Sequence, residues 1–157
     1  MIGQSVFLTA GVLAAGLLVT AGAAPATATA SGSAVQVQVE NVWIPQPPPG
    51  AEVAAAYFTL RNTGREPAVL VGVDCPLAAA AMLHESSVVA GESRMRMIER
   101  LTIPPQQSVT LKPGGLHVML HEISSPLAVG QRVPLVLHFA EGKELHVEAQ
   151  VRPLGSS

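Results

Sequence analysis

Two kinds of uncharged donor side chain dominate the chemistry available to this chain. They are five histidines (His84, His117, His121, His138, His146) and four methionines besides Met1 (Met82, Met95, Met97, Met119). Imidazole nitrogen is a borderline donor and thioether sulfur a soft one, so a site built from both, without thiolate or carboxylate, favours Cu(I) over hard cations. Over residues 116–121, strict alternation sets His117, Met119 and His121 on one face and Leu116, Val118 and Leu120 on the other. The aliphatic face belongs to a core, which leaves Met119 beside histidines, a poor place for a methionine whose purpose is packing. Over residues 94–98, Met95 and Met97 share a face opposite Arg94 and Arg96. For Met97, core packing is the preferred reading, because methionine fills irregular gaps. His138 and His146 fall on a final hairpin and are expected at the surface, outside any site.

The elements that position these residues are short. Residues 35–39 alternate as a half-buried strand that Trp43 and Ile44 extend. Further strand-like runs cover 54–60, 68–73, 82–84, 94–98, 108–111, 116–121, 133–139 and 144–151, broken by Gly91, Pro104-Pro105, Pro113-Gly114-Gly115, Pro126 and Gly142. Asn62-Thr63-Gly64 is a turn segment in which Asn and Gly supply positive φ where it is needed. Eight or nine strands at this spacing predict an all-β, antiparallel β-sandwich. The Ala-rich piece 77–82 is open to a second reading, a short helical turn.

The spacing from His84 through Met95 and His117 to Met119 is H-x10-M-x21-H-x-M, which should arise by chance on the order of once in ten thousand sequences of this composition. With this signature the chain resembles the PCu(A)C-type periplasmic copper chaperones. The likeness also includes Pro48-Pro49-Gly50, Ala54-Ala55-Ala56-Tyr57, Leu60-Arg61-Asn62-Thr63-Gly64, Leu83-His84-Glu85, Met95-Arg96-Met97 and the stretch from Leu111 to His117. The resemblance implies a cupredoxin-like Greek-key sandwich, a monomer, that binds one Cu(I) through His84, Met95, His117 and Met119. It also implies delivery of that copper to the copper-site subunit of a respiratory cytochrome c oxidase, and exchange with other copper-transfer proteins. Three departures stand out. His121 occupies a position where an apolar residue or Met is expected, and it is either an auxiliary ligand or a solvated side chain, the latter preferred. Ile44-Pro45 follows Trp43 where relatives often carry a basic residue. The C-terminus lacks a His/Met-rich extension for a second copper.

Composition narrows the remaining classes. A formal net charge of −2, with Asp74 the sole aspartate and only two lysines, supports neither a nucleic-acid surface nor a carboxylate-rich calcium site. Residues 1–34 carry no charged side chain, and the apolar stretch 6–19 has the length of a secretory h-region, short of the roughly 20 residues of a membrane span. Residues 1–30 are therefore expected to be a signal peptide cleaved between Ala23 and Ala30, in preference to an uncleaved anchor, with residues 31–157 forming one exported copper-binding domain. No cysteine lies near those sites to take a lipid. Cys75, the single cysteine, is expected to be a small buried hydrophobe. A blue-copper electron carrier would need a Cys thiolate close to a His and a Met in one loop, and a hydrolase would need a nucleophile motif such as G-x-S-x-G, so neither is favoured and no enzyme is expected. A copper buffer using the same ligands is the alternative to a chaperone.

Overall fold

The structure, a computed structural model, describes residues 36–155. These form ten strands and no helix: β1 (Val37–Pro45), β2 (Val53–Asn62), β3 (Ala68–Asp74), β4 (Ala78–Val89), β5 (Glu92–Met97), β6 (Leu101–Ile103), β7 (Ser108–Thr110), β8 (Leu116–Ile123), β9 (Arg132–Phe139) and β10 (Glu144–Arg152). Each of the nine strand-like runs overlaps a strand among the described residues. The tenth, β6, has three residues, too few for alternation to register. The Ala-rich piece is the start of β4 and not a helical turn, because pairing with β8 outweighs alanine's weak strand preference. The expected leader lies outside the described residues.

The strands hydrogen-bond in the order β5-β4-β8-β2-β1-β10-β9-β3-β6, with β7 paired to β2. The sheet is mixed, which corrects the expectation of a wholly antiparallel one. β1 runs parallel to β10, with Trp43, Ile44 and Pro45 opposite Gln150, Val151 and Arg152. Alternation reports which face a residue occupies and is silent on strand direction. β2 changes partner along its length, with Ala54 to Ala56 against β8 and Thr59 to Arg61 against β7. Its inward residues Ala54, Ala56, Phe58 and Leu60 join Ile44, Leu70, Leu83, Ile103, Val118, Leu120, Leu135, Leu137 and Val151 in one core. Fully burying a side chain of Leu or Phe size contributes about 1.5–3 kcal/mol, and with no disulfide this core holds the fold.

Two local features set the register of the site. In β1 the pairing with β2 slips by one residue between Glu40 and Trp43, where Asn41 has φ 52°. This bulge reverses the parity of the strand, so Ile44 enters the core while Trp43 meets Tyr57. Between β4 and β5, Ala90 (φ 53°) and Gly91 (φ 83°) form a two-residue turn closed by the pair Val89 and Glu92, as a type I′ hairpin requires. The Asn62-Thr63-Gly64 turn works differently from expectation, because neither Asn62 nor Gly64 is among the positive-φ residues. Asn62 is buried and serves as a hydrogen-bond hub instead: its Nδ2 donates to the carbonyls of Glu66 (2.7 Å) and Ile103 (3.0 Å), and its Oδ1 accepts from Gly64 N–H (2.9 Å). A Cβ at Gly64 would lie 3.1 Å from that oxygen, so this glycine is needed for closeness.

Candidate metal centre

The hairpin register sets Met97 opposite His84 and Met95 opposite Ser86. The β4–β8 register sets His84 opposite His117, Met82 opposite Met119 and Ala80 opposite His121. Residues directly opposite one another in antiparallel strands point to the same face. One face of β5-β4-β8 therefore carries His84, His117 and His121 together with Met82, Met95, Met97 and Met119, while Leu83, Val118 and Leu120 fill the core beneath. All four residues of the sequence signature lie on this face, with Met95 one step diagonal from His84. Met97 is 58% exposed, so it is not the core packing residue expected from composition. Met95, 53% exposed, lies on the same open edge.

His117 is the most enclosed donor, 5% exposed. Its Nδ1–H donates to the carbonyl of Gly115 (3.0 Å), since a carbonyl can only accept, and this leaves Nε2 with a free lone pair. The same carbonyl accepts Ser86 N–H (3.0 Å), tying β4 to β8 next to the histidine. Tyr57 stands 6.5 Å from the His117 ring, Trp43 lies 4.9 Å beyond Tyr57, and the Arg152 guanidinium sits 5.6 Å over Trp43. These groups wall one side of the site. His84 is 5.8 Å from His117, edge to face, and burial followed by the neighbouring His117 and His121 holds its pKa below the usual histidine value. A histidine so placed stays neutral and able to donate to a metal. Its Nδ1 is closed off from solvent with no hydrogen-bond partner among the described residues.

His121 departs from the solvated side chain expected for it: its Nε2 is also shut away and, among the described residues, unpartnered, and its ring is 6.3 Å from that of His84. Glu85, next to His84 on β4, faces the other way and accepts from Arg96 (Nε to Oε2 2.7 Å), and the seven imidazole and thioether side chains of this face are uncharged donors. Cys75 is buried in the core, away from the face, and burial pushes its thiol pKa up, which keeps it protonated as the packing residue expected. His146 is exposed, and His138 sits between Asp74 (2.7 Å) and Glu144 (3.2 Å) on β9, apart from the site. Among the described residues, no three His, Cys, Asp or Glu side chains are arranged to hold a metal by themselves. Sequence reasoning passed over Met82, Tyr57 and Trp43. Met82 shares strand parity with His84, a signal obscured by the helical reading of the alanines.

An all-β domain presenting neutral imidazoles and thioethers on one sheet face defines a class of soft-metal carrier. The chain belongs to the LpqE-like family, whose model, described as "Putative lipoprotein LpqE-like", matches residues 37–151. It is similar to "Putative lipoprotein Lxx21020" of Leifsonia xyli subsp. xyli, 33% identical over 115 residues that span 73% of this chain and 68% of the relative. Among solved structures it resembles CuI-DR1885 from Deinococcus radiodurans (38% identity, TM-score 0.63, covering 82% of this chain and 86% of that one). It also resembles the copper-bound PCuAC domain of PmoF2 (28% identity, TM-score 0.64, covering 76% and 96%). These likenesses bear out the resemblance to the PCu(A)C-type copper chaperones, a family without enzymatic activity.

Proposed function

We propose that this protein is an exported, monomeric copper chaperone that binds one Cu(I) through His84, Met95, His117 and Met119 and delivers it to the copper centres of respiratory cytochrome oxidase. The single observation that carries the reading is the register: His84 faces His117 across β4 and β8 while Met95 and Met119 flank the pair on one neutral face. Uncharged donors suit a monovalent soft cation, and no carboxylate stands among the described residues that β4, β5 and β8 turn to this face, which disfavours divalent hard ions. Met95 lies open at the edge, where an acceptor's ligands can replace it before the enclosed His117 lets go. The copper recorded in the related DR1885 and PmoF2 structures supports the same assignment.

On this reading residues 31–157 are a cupredoxin-like Greek-key sandwich released by removal of a leader within residues 1–30. Cys75, buried in the core, is not itself a site for lipid attachment. The test is transfer. Copper-loaded protein mixed with the apo copper domain of an oxidase should end as apo protein and loaded oxidase domain, followed by the absorbance of the oxidase centre. Retention of copper by this protein at equilibrium, with no gain by the acceptor, would establish a buffer in place of a chaperone.

A further inference from the structure

The signature residues account for only part of the donor face. Met82 lies directly opposite Met119, and His84 and His121 flank that pair from opposite strands, one step along in opposite directions. Although their positions along the sheet are well separated, the two rings lean together to 6.3 Å. The two buried side-chain nitrogens without a hydrogen-bond partner among the described residues belong to these same two rings, Nδ1 of His84 and Nε2 of His121. Burying a polar atom unpaired is costly, about 1–3 kcal/mol, and an ion that visits the site is one physical reason to keep such atoms there. Since His, Cys, Asp and Glu groups among the described residues do not close a site alone, the thioethers between the rings are the natural complement.

We propose that His84, Met82, Met119 and His121 form a second Cu(I)-accepting set that overlaps the first and shares His84 and Met119 with it. The inference rests on the reading of this face as a Cu(I) site. Because two donors are common to both sets, one copper occupies one set at a time. It moves by ligand exchange: bonds to His117 and Met95 break as bonds to His121 and Met82 form, the copper stays Cu(I), and His84 and Met119 hold it throughout. The face then works as a short track. Its open Met95 end offers a partner protein an approach to the ion, and its enclosed His121 end holds the ion out of reach.

The experiment is anaerobic titration of the full chain with Cu(I) against a chromophoric Cu(I) chelator, in three variants checked for folding by thermal melts. Met95→Leu/His117→Leu removes the first set only and should still bind one Cu(I), about tenfold to a hundredfold more weakly than the unmodified protein. Met82→Leu/His121→Leu removes the second set only and should lose less than about tenfold. Combining all four should weaken binding by at least about a further hundredfold. In the unmodified protein, the ε-methyl NMR signals of Met82 and Met119 should both shift on addition of one equivalent of Cu(I), a readout that needs no variant. The second set is overturned if the Met95/His117 variant binds no better than the fourfold one, or if the Met82 methyl does not move. If the Met95/His117 variant instead binds as tightly as the unmodified protein while the Met82/His121 variant does not, the ligand set assigned under the proposed function fails and the second set stands as the primary site. No change in any variant overturns both.

Discussion

At the scale of single residues, among the proposed ligands His117 is the most completely prepared before any metal arrives, enclosed and with its tautomer held by the Gly115 carbonyl. Removing a prepared ligand costs more than removing a histidine engaged elsewhere. His117→Ala is expected to weaken Cu(I) binding by about tenfold to a hundredfold and Met119→Ala, which removes a donor common to both sets, by more than about a hundredfold, whereas His138→Ala, whose ring lies between Asp74 and Glu144, should leave it unchanged. Chelator competition checks all three. His84 makes a second prediction. Its pKa in the fold lies below the ordinary value because burial and two neighbouring imidazoles disfavour its charge. The unfolded chain therefore takes up the proton first as pH falls through about 6.5. The metal-free protein should have its full share of stability from this group above that pH and lose it progressively below. Thermal melts between pH 7.5 and 5 should show this fall, reduced in His84→Leu and in the Cu(I)-loaded protein.

At the scale of elements, the β4–β5 hairpin carries the register on which the site depends. Ala90 occupies a left-handed conformation that disfavours alanine by about 1–2 kcal/mol and that Asn adopts more readily. Ala90→Asn, which creates the Asn-Gly sequence favoured by type I′ turns, is expected to stabilise the protein by about 0.5–1 kcal/mol, raising the melting temperature by a few degrees without altering Cu(I) affinity. Inserting one residue after Gly91 should do the reverse. A one-residue slip turns every β5 side chain over, so Met95 and Met97 would leave the donor face and Cu(I) binding should fall sharply, while the core strands of β8 and β9 stay protected in hydrogen exchange. If the insertion left affinity intact, Met95 could not be a ligand. The sequence pattern placed nine strands correctly because each alternates or is bounded by Gly and Pro. It missed the three-residue β6, and it left the start of β4 ambiguous because alanine marks no face.

At the scale of the whole molecule, a carrier matters when free metal is scarce, because it raises the rate at which copper reaches its client. A strain lacking this protein is expected to lose oxidase activity under copper limitation and to recover it when copper is in excess. A His84→Ala/Met95→Ala variant exported at normal abundance should fail to rescue, and His146→Ala should rescue. Unchanged oxidase activity in the deletion strain under measured copper limitation, accompanied by reduced copper tolerance, would assign the protein to copper buffering. The fold suits either task through the same division: an apolar layer from Leu83, Val118 and Leu120 underneath holds the strands rigid, and the donors stand on the other face with exposed thioethers at its edge.

Residue order along the chain alone determined the all-β class, the inward face of most strands and four His and Met residues that prove to share one sheet face, because period-two alternation and a fixed His/Met spacing are local properties. Which donors meet was decided only by tertiary structure. Nothing local to Met82 pairs it with Met119, and nothing near His121 in sequence shows that its Nε2 turns away from water toward His84. The same holds for the parallel pairing of β1 with β10, which brings Arg152 over Trp43 from more than a hundred residues away. Such pairings depend on strand direction, bulges and register, quantities that emerge when separate segments share a core and that side-chain periodicity does not encode.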